Sequence, residues 1–341
     1  MWKRLALFAS LIFLFSMGEG FPKDKDITLV AVGDILPAHR MEPFIEESGP
    51  AYPYQFTLSL LKSADITFAN LECPVSTKGK PVEGKEFTFC AKPPVVKGLK
   101  EAGFDVLSLA NNHILDYGKE ALMDTIKLLQ DNRILSVGAG RNIQEARKPA
   151  VLKKGNRTFG FLAYSNTLPK NYWAKKDRTG TAYGAVAWVR EDVRNLKEKA
   201  DFIIVSFHWG GEGESFPKEY QALLAHQAID SGADIVLGHH PHVLNGIEMY
   251  GGGVILYSLG NYAFGSYGKA EVSALFRFSF SSGKLKELEI IPLSVYNREV
   301  HFQPRVLENK QAKKVLEDIQ DLSREFGTRI DIINSKGIIR F

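Results

Sequence analysis

From residue 26 to about 260, short runs of β-branched and aromatic residues alternate with longer helical patterns, which is the signature of βαβ units and a largely parallel sheet. The expected strands are 27–32, 66–71, 105–110, 158–164, 202–208, 234–238 and 254–259, and the expected helices are 95–102, 119–132, 190–200 and 217–231. Gly103 follows the first of these helices and Pro217 suits the first turn of the last. This layout bears on function, because open α/β sheets collect ligand-binding groups in the crevice beyond the carboxyl ends of their strands.

Those ends carry an unusual set of side chains. Five of the eight histidines fall in Asn111-Asn112-His113, His208-Trp209-Gly210 and Gly238-His239-His240-Pro241-His242, each directly after an apolar run. Asp34 and Glu72 occupy equivalent places after 27–33 and 65–71. Taken singly, each has a bland reading. Asp34 could form a turn or cap a helix, and His208 could be a satisfied core residue. In the third phrase, Asn111 or Asn112 could take a left-handed position while Asp116 caps the helix near Gly118. Together, Asp34, Glu72, Asn112, His208, His240 and His242 form a nitrogen- and oxygen-rich ligand set without thiolate, suited to one or two ions of Zn, Mn or Fe. Pro241 stiffens the turn between two imidazoles. Two ions bridged by a carboxylate suit hydrolysis of a phosphoester, and His113 is the candidate to protonate the leaving group. Asn70, Asn111, His239 and Asn261 are expected to orient ligands, whereas His39, His226 and His301 read as surface or packing residues.

Beyond residue 271 the pattern changes. Val272 to Phe280 and Leu285 to Val295 flank Ser281-Ser282-Gly283-Lys284 and predict an antiparallel hairpin, followed by a helix over 309–326 and a hairpin of 329–334 with 338–341. No repeat, low-complexity stretch or Pro/Gly-rich linker interrupts the chain, so a single domain is expected over 21–341, with a core of 26–265 and an extension of 266–341. Thr167 to Trp188 lacks periodicity and predicts a long surface loop that lines a substrate cleft.

With 341 residues, 45% of them hydrophobic, the chain can bury a large core. Its net charge of +4 comes without long Lys/Arg runs, which argues against a clustered nucleic-acid footprint and is compatible with a polyanionic partner. Lys3 and Arg4 precede an apolar stretch from Leu5 to Phe15, then small residues through Gly20, so residues 1–20 read as an export signal cut before Phe21. An uncleaved anchor is the alternative, although the stretch is shorter than the roughly 20 residues that span a bilayer. Export to a periplasmic or cell-surface location favours pairing of Cys73 with Cys90, and two free, buried thiols are the alternative.

Six phrases carry a resemblance: Val32-Gly33-Asp34-Ile35, Ala69-Asn70-Leu71-Glu72, Leu109-Ala110-Asn111-Asn112-His113, Phe207-His208-Trp209-Gly210, Gly232 to Val236 with Gly238 to His242, and Tyr257-Ser258-Leu259-Gly260-Asn261. In these the chain resembles the CapA family of poly-γ-glutamate capsule synthesis proteins, itself similar in fold to the calcineurin-like metallophosphoesterases. The resemblance implies a four-layer α/β/β/α sandwich with a metal site at the sheet edge. It implies that Asp34 and His242 bind a first metal, that Glu72 bridges, and that Asn112, His208 and His240 bind a second, with His113 beside the leaving group. Two departures stand out: metallophosphoesterases carry His where this chain has Leu36, and a bridging Asp where it has Glu72. The function implied is an exported, metal-dependent hydrolase in the assembly of an anionic capsule polymer, poly-γ-glutamate, or acting on a phosphoester substrate. The alternative is a non-catalytic polymer-binding subunit of a membrane synthase or export complex.

Overall fold

The computed structural model describes residues 26–268 and 270–341, and the expected export signal lies outside the described residues. The first strand, β1 (Ile27–Leu36), shows how the layers arise. Successive side chains of a strand point to opposite faces. Leu29 and Ala31 accordingly enter one apolar cluster, while Val30 and Val32 enter another on the opposite face. A strand buried on both faces reads as a continuous apolar run, which is why it was legible in the sequence.

In chain order the principal elements that follow are β2 (Ile66–Leu71), α1 (Val95–Ala102), β3 (Val106–Ser108), α2 (Gly118–Asp131), β4 (Leu135–Val137), β5 (Ala150–Lys154), β6 (Arg157–Ser165), α3 (Val186–Lys197), β7 (Phe202–His208) and α4 (Glu219–Asp230). Then come β8 (Ile235–His239), β9 (Ile247–Tyr250), β10 (Gly253–Leu256), β11 (Asn261–Phe264), β12 (Val272–Ser281), β13 (Lys284–Ser294), α5 (Asn309–Ser323), β14 (Asp331–Ile333) and β15 (Lys336–Arg340). Gly103, at φ 95°, ends α1 with its N–H donating to the carbonyls of Leu99 and Lys100. No helix among the described residues is long and apolar enough to cross a membrane.

Among the described residues a ten-stranded sheet runs in the order β14-β15-β13-β12-β1-β2-β3-β4, with β11 also paired to β1 and the short strand Arg305–Val306 paired to β13, and a six-stranded sheet runs β9-β10-β8-β7-β6-β5. One apolar cluster fills the space between the sheets, where Phe68 stacks on Phe161 with ring centroids 5.9 Å apart. Clusters on the outer faces bury α1 and α2 against the first sheet and α3 and α4 against the second. The result is the α/β/β/α sandwich of metallophosphoesterase type. The C-terminal strands are part of it, since β12 pairs antiparallel with β1 along Ile27 to Ala31.

Four expectations need correction. Residues 254–259 are not one strand: β10 ends at Leu256, and the chain crosses to the other sheet, where β11 runs parallel to β1 with Asn261 opposite Asp34. The helix expected at 190 begins at Val186, inside the segment expected as loop. Pro217 precedes the first turn of α4, whose entry is held by Lys218 N–H donating to Gln221 Oε1 at 2.9 Å. Cys73 and Cys90 are free thiols rather than a disulfide, because Cys73 is sealed in the helix-side core and the Cys90 Sγ is turned to the Ser76 carbonyl at 3.4 Å.

The crossing from β10 to β11 brings backbone against backbone. A Cβ added at Gly33 would sit 1.9 Å from the carbonyl oxygen of Gly260, and Asp34 N–H donates to that same oxygen at 3.0 Å. Gly33→Ala therefore has to push the strands apart, and overpacking of this kind costs about 1–3 kcal/mol. Urea unfolding should show a lower midpoint at an unchanged slope, and an unaltered midpoint would contradict the close approach.

Candidate metal centre

Register places the predicted residues together. Parallel pairing sets Asp34 beside Asn70 after a bulge between Ala31 and Asp34, and sets Ser165, His208 and His239 side by side across β6, β7 and β8. Asp34, Glu72, His208 and His240 are buried, and His242 nearly so. His240 and His242 have φ values of 94° and 60°, a left-handed backbone that costs energy for residues with a Cβ and aims both rings back at the strand ends. Neither Asn111 nor Asn112 adopts such a conformation, contrary to the structural reading of that turn.

The candidate donors fall into interlocking groups, within each of which the ligand atoms lie within 4.8 Å of one another. Glu72 joins His208 and His240 in one group, and Asp34 and His242 in another. His208 Nε2 lies 2.8 Å from Asn112 Oδ1 and 3.5 Å from Glu72 Oε1, and His242 Nε2 lies 3.7 Å from that same oxygen. These last two separations are ion-pair distances rather than hydrogen bonds, so Glu72 Oε1 has no hydrogen-bond partner, and neither has His240 Nδ1.

Around this centre the polar atoms are held tightly. Asp34 Oδ1 accepts from Asn70 Nδ2 at 2.8 Å and from His239 Nδ1 at 2.9 Å, and Oδ2 accepts from His240 N–H at 3.2 Å. Asn111 Nδ2 donates to Asn70 Oδ1 at 3.0 Å and to the Leu71 carbonyl at 2.8 Å, while its Oδ1 accepts from His113 N–H at 3.1 Å. His242 Nδ1 donates to Asn261 Oδ1 at 2.9 Å. Asn70, Asn111, His239 and Asn261 thus each touch a candidate ligand or the segment that carries one.

Electrostatics fit a cation. Burial, with the charge of Asp34 added, pushes the Glu72 carboxyl well above its ordinary range. Burial also opposes ionisation of Asp34, but hydrogen bonds from His239 and His242 outweigh it and hold that carboxyl well below the usual range. Burial and the neighbouring imidazole of His240 keep His208 well below its ordinary value, and burial with His242 brings His240 down to about 3, so both are neutral, as a metal requires. His242 behaves oppositely: burial would lower it, but Glu72, Asp34 and Glu212 raise it to about 9. A bound cation would cancel that negative field. A buried carboxylate oxygen and imidazole nitrogen without partners, within a set of nitrogen and oxygen donors, are what a divalent metal would satisfy.

His113 is held from behind. Its Nδ1–H donates to Asp116 Oδ2 at 2.7 Å, leaving Nε2 for the cleft it lines. Asp116 also accepts from Phe89 N–H at 2.9 Å, Lys85 Nζ at 2.5 Å and Tyr172 OH at 3.4 Å. It is therefore not the helix cap expected from sequence; α2 has Tyr117 before it and no side-chain cap. Burial pushes the His113 imidazole below its ordinary value, against the pull of Asp116.

Beside the candidate metal ligands lies a cleft of about 420 Å³, walled by His39, Phe87, Phe89, His113, His242 and Phe264 among others. None of its lining residues comes from Thr167 to Trp188, which meets the site instead at Tyr172. His39, expected as a surface or packing residue, is exposed and packs on Phe89 in this wall, with Nδ1 donating to the Gly265 carbonyl at 3.1 Å. His226 packs on Tyr250 and pairs with Glu248, away from the centre. Lys85 was not singled out as a site residue, because its partners Asn112 and Asp116 are distant in sequence, and Asp116 was expected only as a helix cap.

The family model for "Bacterial capsule synthesis protein PGA_cap" matches residues 28–266. "PGA biosynthesis protein CapA" of Bacillus subtilis is 33% identical, with 80% of this chain and 73% of that protein covered. "Capsule biosynthesis protein CapA" of Bacillus anthracis is 31% identical, covering 80% of this chain and 68% of that protein. Among solved structures, one described as a novel phosphatase, from Mycoplasma pneumoniae, superposes with a TM-score of 0.51 at 16% identity, covering 81% of this chain and 98% of that one. This last likeness is one of fold.

If Glu72 is the residue that needs the cation, metal and protein stability are linked. Added Mn or Zn at about one hundred times its Kd should stabilise the protein by about 2.7 kcal/mol. Glu72→Gln should abolish that gain while leaving the metal-free protein at least as stable as wild type, since it removes a buried carboxyl. Thermal unfolding with and without chelator checks this, and a metal-induced gain that persists in Glu72→Gln would contradict it.

Proposed function

The chain belongs to the bacterial capsule synthesis protein PGA_cap family, and on that premise we propose that it is an exported, metal-dependent hydrolase. Its substrate is an anionic capsule polymer of the poly-γ-glutamate kind, or a phosphoester formed during assembly, release or attachment of that polymer. The observation that carries this reading is the convergence of Asp34, Glu72, Asn112, His208, His240 and His242 on one buried crevice, where Glu72 Oε1 and His240 Nδ1 lack partners. The basic, then apolar, then small-residue pattern of residues 1–20 supports export. Work beside membrane synthase or export subunits is part of the same proposal.

In this reading Asp34, Glu72 and His242 would hold one ion and Glu72, Asn112, His208 and His240 the other. A divalent ion of Mn, Zn or Fe supplies Lewis acidity toward an anionic oxygen and lowers the pKa of water. The remaining work falls to the chain. Asn70 and His239 fix the carboxylate of Asp34. Asp116, itself held by Lys85, selects the His113 tautomer with the proton on Nδ1. Nε2 of that tautomer would first take up a proton from water, and the resulting imidazolium, a stronger acid because of its lowered pKa, would deliver that proton to the leaving oxygen. Phe87, Phe89 and Phe264 give the cleft an apolar wall that limits water.

Metal content and turnover of a phosphoester and of an oligo-γ-glutamate, measured on the same preparations, test the reading. His208→Ala should lose both metal and turnover. His113→Ala should keep its metal and lose about 10²–10⁴ of the rate. A His113→Ala protein with full metal and undiminished turnover would contradict the role of His113. Wild-type protein that binds the polymer with no turnover would leave the polymer-binding subunit as the reading.

A further inference from the structure

A seventh side chain reaches the same histidines from the opposite side. Glu212, on the loop after β7, offers a carboxylate oxygen that forms a group with one nitrogen each of His240 and His242, all within 4.8 Å of one another. Glu72 is the buried carboxylate of the centre, whereas Glu212 is exposed and lines the cleft, so the two acids face the histidine pair from inside and from solvent. The loop that carries Glu212 is fixed there. Gly213 N–H donates to the Pro241 carbonyl at 2.9 Å, which ties the Glu212 backbone to the residue between the two histidines. Gly210 N–H donates to Tyr220 OH at 2.7 Å, and the Glu214 carbonyl accepts from Asn245 Nδ2 at 2.9 Å. Gly210 and Gly213, at φ 79° and 75°, let the loop double back in so few residues. Leu36, two residues after Asp34 at the end of β1, is fully buried in the helix-side cluster and offers no donor.

We propose that Glu212 is a metal ligand in this chain, closing the solvent side of the position formed by Asp34, Glu72 and His242 and supplying the donor that β1 does not. The inference rests on the metal reading given under Proposed function. Its chemical consequence is a harder donor set at that position: three carboxylates and one imidazole favour Mn or Mg over Zn more than a set with a second imidazole would. Both histidines of the group are held by strained backbone, and one of them, His240, is buried with Nδ1 unpartnered, so the geometry is prepared for an incoming ion rather than for hydrogen bonds within the protein.

The test is a titration of metal-free wild type and Glu212→Gln with Mn against a chromophoric chelator, with bound metal counted by mass spectrometry. Wild type should bind two equivalents. Glu212→Gln should retain the one held by Glu72, Asn112, His208 and His240 and bind the other at least tenfold more weakly. Because Glu212 is exposed, the unfolding midpoint of the metal-free variant should match wild type, which separates lost ligation from lost fold. Two equivalents bound by Glu212→Gln with wild-type affinities would overturn this inference alone. A wild type that binds one equivalent would also overturn it, and a wild type that binds none would overturn the metal reading on which it rests.

Discussion

Two carboxylates, Asp34 and Glu72, lie fully buried at the ends of adjacent parallel strands, and the cost of keeping both charged there governs what surrounds them. The protein meets the two demands differently. Asp34 is surrounded by donors from Asn70, His239 and the His240 backbone, and stays ionised. Glu72 receives one hydrogen bond, from Asn70 Nδ2 at 3.1 Å, and its other oxygen has none. An anion left so exposed to its own desolvation needs a proton or a cation. The neutral imidazoles of His208 and His240 beside it favour the cation, since protonating them would add charge that burial also penalises.

The sandwich is what brings these groups together. Asp34 and Glu72 come from the ten-stranded sheet, His208 and His240 from the ends of strands in the six-stranded sheet. The crevice between the two sheet edges is where the two ligand sets meet, and the apolar cluster between the sheets sets their separation. The strand crossing at residues 257–260 locks the two edges: Gly260 accepts from Asp34 N–H, and Trp209 Nε1 donates to the Tyr257 carbonyl at 3.0 Å. Packing at the strand crossing is thus coupled to ligand placement.

Much of this was legible in the sequence because buried parallel strands are contiguous apolar runs, and residues directly after them lie at one edge. β2 and β7 fall where the apolar runs predict, and α1 ends where Gly103 stops it. The short β4 and the partly exposed β5 carry too few apolar residues to stand out. The boundary between β10 and β11 was hidden because the chain changes sheets without a break in hydrophobicity. Side-chain pairings over long separations were invisible for a different reason. Nothing local in Lys85 or Asp116 announces their contact, 31 residues apart, and nothing in Glu212 announces its approach to His240 and His242. Likewise Cys73 and Cys90 had a plausible spacing, yet spacing does not fix the direction of Cβ vectors.

The central claim is that the strand-end groups form a centre for divalent metal with Glu72 between two positions. Anomalous diffraction from crystals grown with Mn measures this most directly. The account predicts two peaks about 3.5–4 Å apart, one among Asp34, Glu72 and His242 and the other among Glu72, Asn112, His208 and His240. Saturating Mn with no anomalous peak in this crevice would contradict it.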